Sequence, residues 1–266
     1  MTSLRRPNGS IIGASVIPIS ASPSTAPGLW DKNEHYSLVG IGYWPGLAGS
    51  IVTYNFTSNI ATATFFDTTL QGRFGAAGSG SLRTVSIGGT YTITAGSQHL
   101  TTTSGVNGGN GSGTVSSGGY TYGGGGGGIG GNSAIGTTGG ATGYDFNGVW
   151  NALTIAGYSP SGSSFGKGGN GSLQASENGA VFGGGGGGRS DSYGGGAGGR
   201  AGIVIQCGDL YATVIDSLSG SGSFTCPSGS TYVKIWCIGK GGNGSGGIYG
   251  HGGGGAAGGI AYARFD

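Results

Sequence analysis

The sequence predicts a mostly β fold carrying a polyglycine II helix bundle, with little α-helix. Three observations predict it. Glycine supplies 70 of 266 residues, and its tracts recur in register. Several non-glycine stretches alternate Thr with aromatic and β-branched residues, the pattern of half-buried strands. Charged residues are 8% and aromatics 10% of the chain, whereas a disordered chain is rich in charge and short of aromatics. Collagen is excluded, because the tracts lack a Gly-X-Y repeat with proline.

Residues 1–46 read as an extended attachment arm followed by a Trp-containing block. Pro7, Pro18, Pro23 and Pro27 punctuate the arm, and each pushes its preceding residue to extended geometry. Ile11, Ile12 and Ile17 are apolar for a free tail and predict an arm that lies on a partner. Asp31 is placed to cap a short helix through Leu38. Trp30 and Trp44 bracket that block, either filling a small core or anchoring into a partner, a role in which Trp is favoured.

Residues 47–104 predict a β-rich region. Ile51, Tyr54, Phe56, Ile60, Ala63 and Phe65 alternate with Thr and read as two or three strands. Residues 82–103 continue in strand style, with Gly88-Gly89 expected as a turn.

Residues 105–206 predict the glycine-rich body, and 207–266 a second β plus glycine-rich module. The segment Gly108-Gly109-Asn110-Gly111-Ser112 reaches the run Gly123 to Gly128 fifteen positions after it starts. Gly168-Gly169-Asn170-Gly171-Ser172 reaches Gly183 to Gly188 at the same spacing, and Gly241-Gly242-Asn243-Gly244-Ser245 reaches Gly252 to Gly255 after eleven. Thr90 to Ser97 also aligns with Ser223 to Ser230, and Tyr91 and Phe224 each stand seventeen positions before their Gly-Gly-Asn-Gly-Ser segment. Shared order of this kind is the mark of internal duplication. Each module is expected to close on an apolar strand, Gly202–Gln206 in one and Gly259–Phe265 in the other.

Ordering glycine is costly, at about 1–2 kcal/mol per residue with no side chain to offset it. Polyproline II helices have no internal hydrogen bonds. Several packed side by side satisfy one another's N–H and C=O groups, provided the residues facing neighbours lack side chains. Registered tracts fit that arrangement. A phosphate-cradling loop does not, since no G-x-x-x-x-G-K-[ST] is present.

Catalysis is not expected. Nine acidic residues and the separated His35, His99 and His251 form no recognisable constellation. No cofactor or metal is expected. Cys207, Cys226 and Cys237 read as reduced buried thiols, with a Cys226–Cys237 bridge or a metal site as the alternatives. A net charge of +2 without a basic cluster points away from nucleic acid. No run approaches the roughly 18 apolar residues of a membrane span, and residues 1–27 lack the apolar core of a signal peptide.

On its registered glycine tracts, residues 105–260 resemble the glycine-rich tail-fibre adhesins of tailed bacteriophages, particularly the T-even type. In that family polyglycine II helices form a sandwich, and the loops between the glycine motifs touch the bacterial receptor. The N-terminal region does not match the family's fibre-attachment domain, and the module after residue 207 is additional. The resemblance implies a virion protein, assembled in the host cytoplasm, with no enzymatic activity. Its expected partners are other virion proteins through the arm, and a host-surface glycan or outer-membrane protein through the loops. A homo-oligomer is expected, with a trimer sharing its glycine rods as one arrangement. The alternative is a head or tail decoration protein with no receptor role.

The receptor-binding candidates are aromatic residues in Ser/Gly/Asn-rich inserts, which offer contact area at low entropy cost. They are Tyr120, Tyr122, Tyr144, Phe146, Trp150, Tyr158, Phe165, Tyr193, Tyr249 and His251. The apolar run from Val149 to Ile155 favours packing for Trp150. An adhesin should present the 144–167 and 189–193 loops at one tip.

Overall fold

The computed structural model describes residues 4–5, 11–12, 50–141 and 166–266, excepting 58, 81–83, 119, 132, 192, 209–210, 217–219, 228–229 and 248–250. The described residues are mostly β and contain no helix. Ile17, the Asp31 cap, Trp30 and Trp44 lie outside them. Ile11 and Ile12 form β2 (Ile11–Ile12), which pairs antiparallel with β1 (Leu4–Arg5).

Two five-stranded antiparallel sheets stack face to face. The alternating stretch 50–70 forms β3 (Ile51–Thr57), β4 (Ile60–Phe65) and the start of β5 (Thr68–Gly72). With β6 (Tyr91–Thr94) and β12 (Gly220–Thr225) they make one sheet in the order β12-β3-β4-β5-β6. The other sheet has the order β11-β10-β13-β14-β7. Its strands are β7 (Leu100–Val106), β10 (Gly202–Cys207), β11 (Tyr211–Asp216), β13 (Val233–Ile238) and β14 (Ile260–Phe265). A small hairpin of β8 (Val115–Ser117) and β9 (Tyr120–Tyr122) stands apart. The segments 47–104 and 207–266 therefore contribute strands to both sheets. The matched stretches around Tyr91 and Phe224 become β6 and β12, the two edges of one sheet, and each is followed by a strand of the other.

The strands' period of two sorts their side chains between two cores. Val52, Phe65, Ile205, Ile235 and Phe265 are buried between the sheets, and the Phe65 and Phe265 rings meet edge-on at 4.8 Å. On the opposite face of the second sheet, Val204, Trp236 and Tyr262 pack with Ile129 and Phe182. Each large side chain buried this way contributes about 1.5–3 kcal/mol. All three cysteines are free and buried. Cys207 and Cys226 are neighbours across the sheets, and the hydrogen bond between their sulphurs together with burial pushes the Cys207 thiol up. Burial pushes up Cys237 as well. Cys226 thus has Cys207 as its thiol neighbour, and no Cys226–Cys237 bridge forms.

Six strands run straight into or out of glycine-rich extended segments, here called rods: 73–80 after β5, 84–90 before β6, 107–114 after β7, 195–200 before β10, 239–246 after β13 and 252–259 before β14. Rods 123–128, 136–141, 166–172, 177–181 and 183–189 complete the described set. The expected turn at Gly88-Gly89 is absent. Rod 84–90 instead runs straight beside rod 73–80, accepting from Arg73 and Ala76 N–H at Thr90 and Ile87.

The rod hydrogen bonds have a period of three. Gly253, Ala256 and Gly259 N–H donate to Ser79, Ala76 and Arg73, Gly254 and Ala257 to Ser112 and Gly109, and Gly255 and Gly258 to Gly186 and Gly183. Carbonyls of the same rod accept from Gly124 and Gly127, from Gly242 and Ser245, and from Gly89. Rod 252–259 thus has six hydrogen-bonded neighbours. Rod 183–189 also has six: it donates to rods 177–181, 123–128 and 239–246 and accepts from 166–172, 195–200 and 252–259. The three long glycine tracts close a ring, with Gly188 donating to Gly124, Gly127 to Gly255 and Gly258 to Gly183.

Net backbone hydrogen bonds are worth only about 0.5–1.5 kcal/mol each, close to the entropy cost of ordering each glycine. The rods therefore depend on the sheets that launch them in register. The equal fifteen-residue spacing of the first two repeats conceals a difference. The first repeat fills it with the β8–β9 hairpin and the second with rod 177–181, so tract 183–188 runs opposite to tracts 123–128 and 252–255.

Candidate functional site at the far end of the rods

The rods end away from the sheets in a cluster of turns. Tyr122 closes the β8–β9 hairpin and leads into Gly123, whose N–H donates to Ser172 O at 3.1 Å. Arg189 N–H donates to Ser245 O at 2.9 Å, and Gly247 N–H to Asp191 O at 3.0 Å. These bonds bring the 115–122 hairpin, the 172–176 turn, the 189–194 turn and the residues at the end of rod 239–246 to one end of the bundle.

Within this cluster Arg189 is held in place. Its Nε pairs with Asp191 Oδ1 at 2.6 Å, and its guanidinium lies 4.8 Å from the centre of the Tyr193 ring. Tyr193 N–H donates to the same Asp191 oxygen at 3.1 Å. The Tyr193 side chain is nevertheless 66% exposed, and Tyr120 is 63% exposed. Tyr122 and His251 are half-buried. His251 Nδ1 is shielded and has no hydrogen-bond partner among the described residues. The arrangement offers one flat aromatic face, that of Tyr193, beside a guanidinium, with the exposed Tyr120 ring at the same end of the bundle, a surface for polar and stacking contacts. Among the described residues no three His, Cys, Asp or Glu side chains gather as metal ligands would, and no helix is long and apolar enough to cross a membrane.

Comparison with family models, with curated proteins and with solved structures gives no match to this chain.

The structure gathers Tyr120, Tyr122, Tyr193 and His251 at the far end. Tyr144, Phe146, Trp150, Tyr158, Phe165 and Tyr249 lie outside the described residues. The residues that bound the long insert are described. Gly140 N–H donates to Gly126 O, and Ile129 N–H donates to Gly166 O, with Ile129 packed on the sheet face beside Trp236. Ala141 and Gly166 therefore sit at the sheet end, opposite to the 189–194 turn. The expectation that both inserts leave at one tip does not hold for their described flanks, because rods 136–141 and 166–172 both meet the insert at their sheet-proximal ends.

Three residues carry a role that the sequence reading missed. Asn110, Asn170 and Asn243 each accept a backbone N–H through Oδ1, from Gly88, Gly139 and Gly198 respectively, at 2.9 Å in every case. Each is the non-glycine residue of a Gly-Gly-Asn-Gly segment and clasps an adjacent rod. The signal was present as Asn at the same place in all three repeats.

Proposed function

We propose that the rods form a polyglycine II bundle and that the protein is a phage tail or tail-fibre adhesin, which binds a host-surface receptor through the turns at the far end. The observation that carries this reading is the three-residue period of the rod hydrogen bonds. Polyproline II geometry turns once every three residues, so successive N–H groups address three neighbours in turn. Such a lattice makes a stiff post with almost no side chains of its own. Its working surface is then the set of turns at its end, where Arg189, Tyr193 and Tyr120 are fixed on a rigid base. The arm attaches the protein to other virion proteins, and the receptor is a surface glycan or an outer-membrane protein. Binding proceeds by shape and polar aromatic contact, without a reaction.

One observation favours the second reading, a head or tail decoration protein. The flanks of the 142–165 insert emerge at the sheet end, so the two aromatic inserts do not leave the bundle together. Both readings are tested by binding of the purified protein to host cells, using wild type, a Tyr120→Ala/Tyr193→Ala variant and a variant with 144–167 replaced by Gly-Ser. The adhesin reading expects saturable binding that the double tyrosine variant loses. Loss with the insert replacement alone moves the receptor surface to the sheet end. Absence of binding by folded wild type favours decoration.

A further inference from the structure

Two thiols face each other at the end of the sandwich away from the rods. Cys207 is the last residue of β10, and the strand's period of two turns it inward with Ile203 and Ile205. Cys226 directly follows β12 and points inward with Phe224 for the same reason. The chain passes from one sheet to the other here. Cys226 N–H donates to Ser50 O at 2.9 Å, beside the first sheet, and Ser230 N–H and Oγ donate back to Pro227 O. Val233 then opens β13 in the second sheet as the register partner of Cys207. The crossing therefore sets one cysteine of each sheet against the other, within one buried cluster, with their sulphurs hydrogen-bonded. Cys237 stands further along β13, toward the rods.

We infer that Cys207 and Cys226 form an oxidation site, at which hydrogen peroxide converts the two thiols into a disulfide that staples one sheet to the other. The sulphurs are already in contact, so bond closure needs a contraction from hydrogen-bond distance to about 2.05 Å. Both residues stand at strand ends, where the backbone can follow. The hydrogen bond between them holds the Cys226 thiol below its ordinary value and Cys207 above it. Cys226 is thus the thiolate, the form that reacts. Its sulphur attacks one peroxide oxygen and breaks the O–O bond, giving a sulfenic acid and hydroxide. Cys207 passes its proton to that hydroxide, forming water. The Cys207 sulphur then attacks the sulfenic sulphur and expels its hydroxyl, which takes up the proton that Cys226 had lost. The two thiols give up two electrons in all, and both peroxide oxygens leave as water. Access matches a small oxidant, since Cys207 and Cys226 are 4% and 2% exposed while Cys237 is fully enclosed. The same enclosure keeps larger thiol reagents out of the native chain. A staple here fastens β10 to the β12 edge, at the base of the sheets on which the rods depend for register.

The test exposes the folded, reduced full chain to hydrogen peroxide, quenches it, and unfolds it in an alkylating agent for peptide mass spectrometry. The expected result is a linked Cys207–Cys226 peptide pair, an alkylated Cys237, and recovery of both missing thiols with dithiothreitol. Oxidation should also raise the unfolding midpoint by roughly 5–10 °C, because the bridge closes a loop of about twenty residues in the unfolded chain. Cys237→Ser should show the same rise over its own reduced form, and Cys226→Ser should show none. Recovery of both Cys207 and Cys226 as alkylated thiols from the treated, folded wild type overturns the site. A sulfinic acid at Cys226 with Cys207 still free, or a bridge to Cys237, overturns the pairing. A Cys207–Cys226 bridge that leaves the midpoint unchanged overturns the staple.

Discussion

Replacing Gly255 by alanine tests the packing argument at the middle of the lattice. Gly255 N–H donates to Gly186 O and its carbonyl accepts from Gly127 N–H, both at 2.8 Å. An added Cβ would overlap the Gly242 carbonyl and stand 2.7 Å from Asn243 O. The added Cβ therefore meets the backbone of rod 239–246, while the two hydrogen bonds tie Gly255 to rods 183–189 and 123–128. In an unobstructed place the same change stabilises by about 0.4–1 kcal/mol, because alanine restricts the unfolded chain. Overpacking costs about 1–3 kcal/mol, and displacing the rod loosens two hydrogen bonds worth about 1 kcal/mol each. The net expectation for Gly255→Ala is a loss of about 2–4 kcal/mol, or roughly 5–15 °C in Tm for a chain of this size. Gly194→Ala is the control, since nothing lies within 4 Å of its added Cβ. Thermal and urea unfolding followed by circular dichroism should separate the two variants in opposite directions. A Gly255→Ala protein as stable as Gly194→Ala would refute the packing argument.

Three further outcomes are expected from the same geometry. Asn170→Ala removes the acceptor for Gly139 N–H and should cost about 1–2 kcal/mol in urea unfolding, whereas an effect within about 0.3 kcal/mol would deny the asparagine clasp. Asp67 accepts Ser97 N–H at 2.7 Å and Gln98 N–H at 3.2 Å, and the Ser97 bond leads the causes that hold its carboxyl below the ordinary value. A depressed folded-state value stabilises above the unfolded pKa of about 3.9 and is lost as pH falls through the folded one. Acid unfolding of Asp67→Asn should therefore lack the part of the pH dependence that wild type shows below about pH 4, and identical acid profiles would exclude that role. The thiols of Cys207 and Cys237 are buried with raised pKa values, so they should resist a thiol-reactive disulfide reagent at mildly alkaline pH until the chain is unfolded; rapid labelling of the native protein at either would contradict their placement.

Much of this fold was legible in the residues. The Thr-aromatic alternation of 50–70 gives β3, β4 and β5, since one face must be buried. The shared order around Tyr91 and Phe224 foretold equivalent strands, which become opposite edges of one sheet. Direction was not legible. Tracts 123–128 and 183–188 are identical in sequence and in spacing from their Gly-Gly-Asn-Gly-Ser segments, yet run oppositely. A glycine rod has no side-chain pattern to distinguish up from down, so the intervening residues decide. Val115 to Tyr122 fold back as a hairpin, whereas Glu177 to Val181 make another rod. The end at which each insert emerges depends on that parity and was hidden for the same reason. At the far end Tyr120 and Tyr193 were visible as insert aromatics, while the hold of Arg189 and Asp191 on Tyr193 depends on a turn that composition does not encode.

Amide hydrogen exchange across tracts 123–128, 183–188 and 252–259 tests the central claim most directly. These stretches carry almost no side chains, so only inter-rod hydrogen bonds protect them. The amides of Gly124 to Gly127, Gly185 to Gly188 and Gly253 to Gly258 should be slowed as strongly as those of β13 and β14. Exchange there at the rate of an unstructured glycine chain, with the sheets still protected, would contradict it.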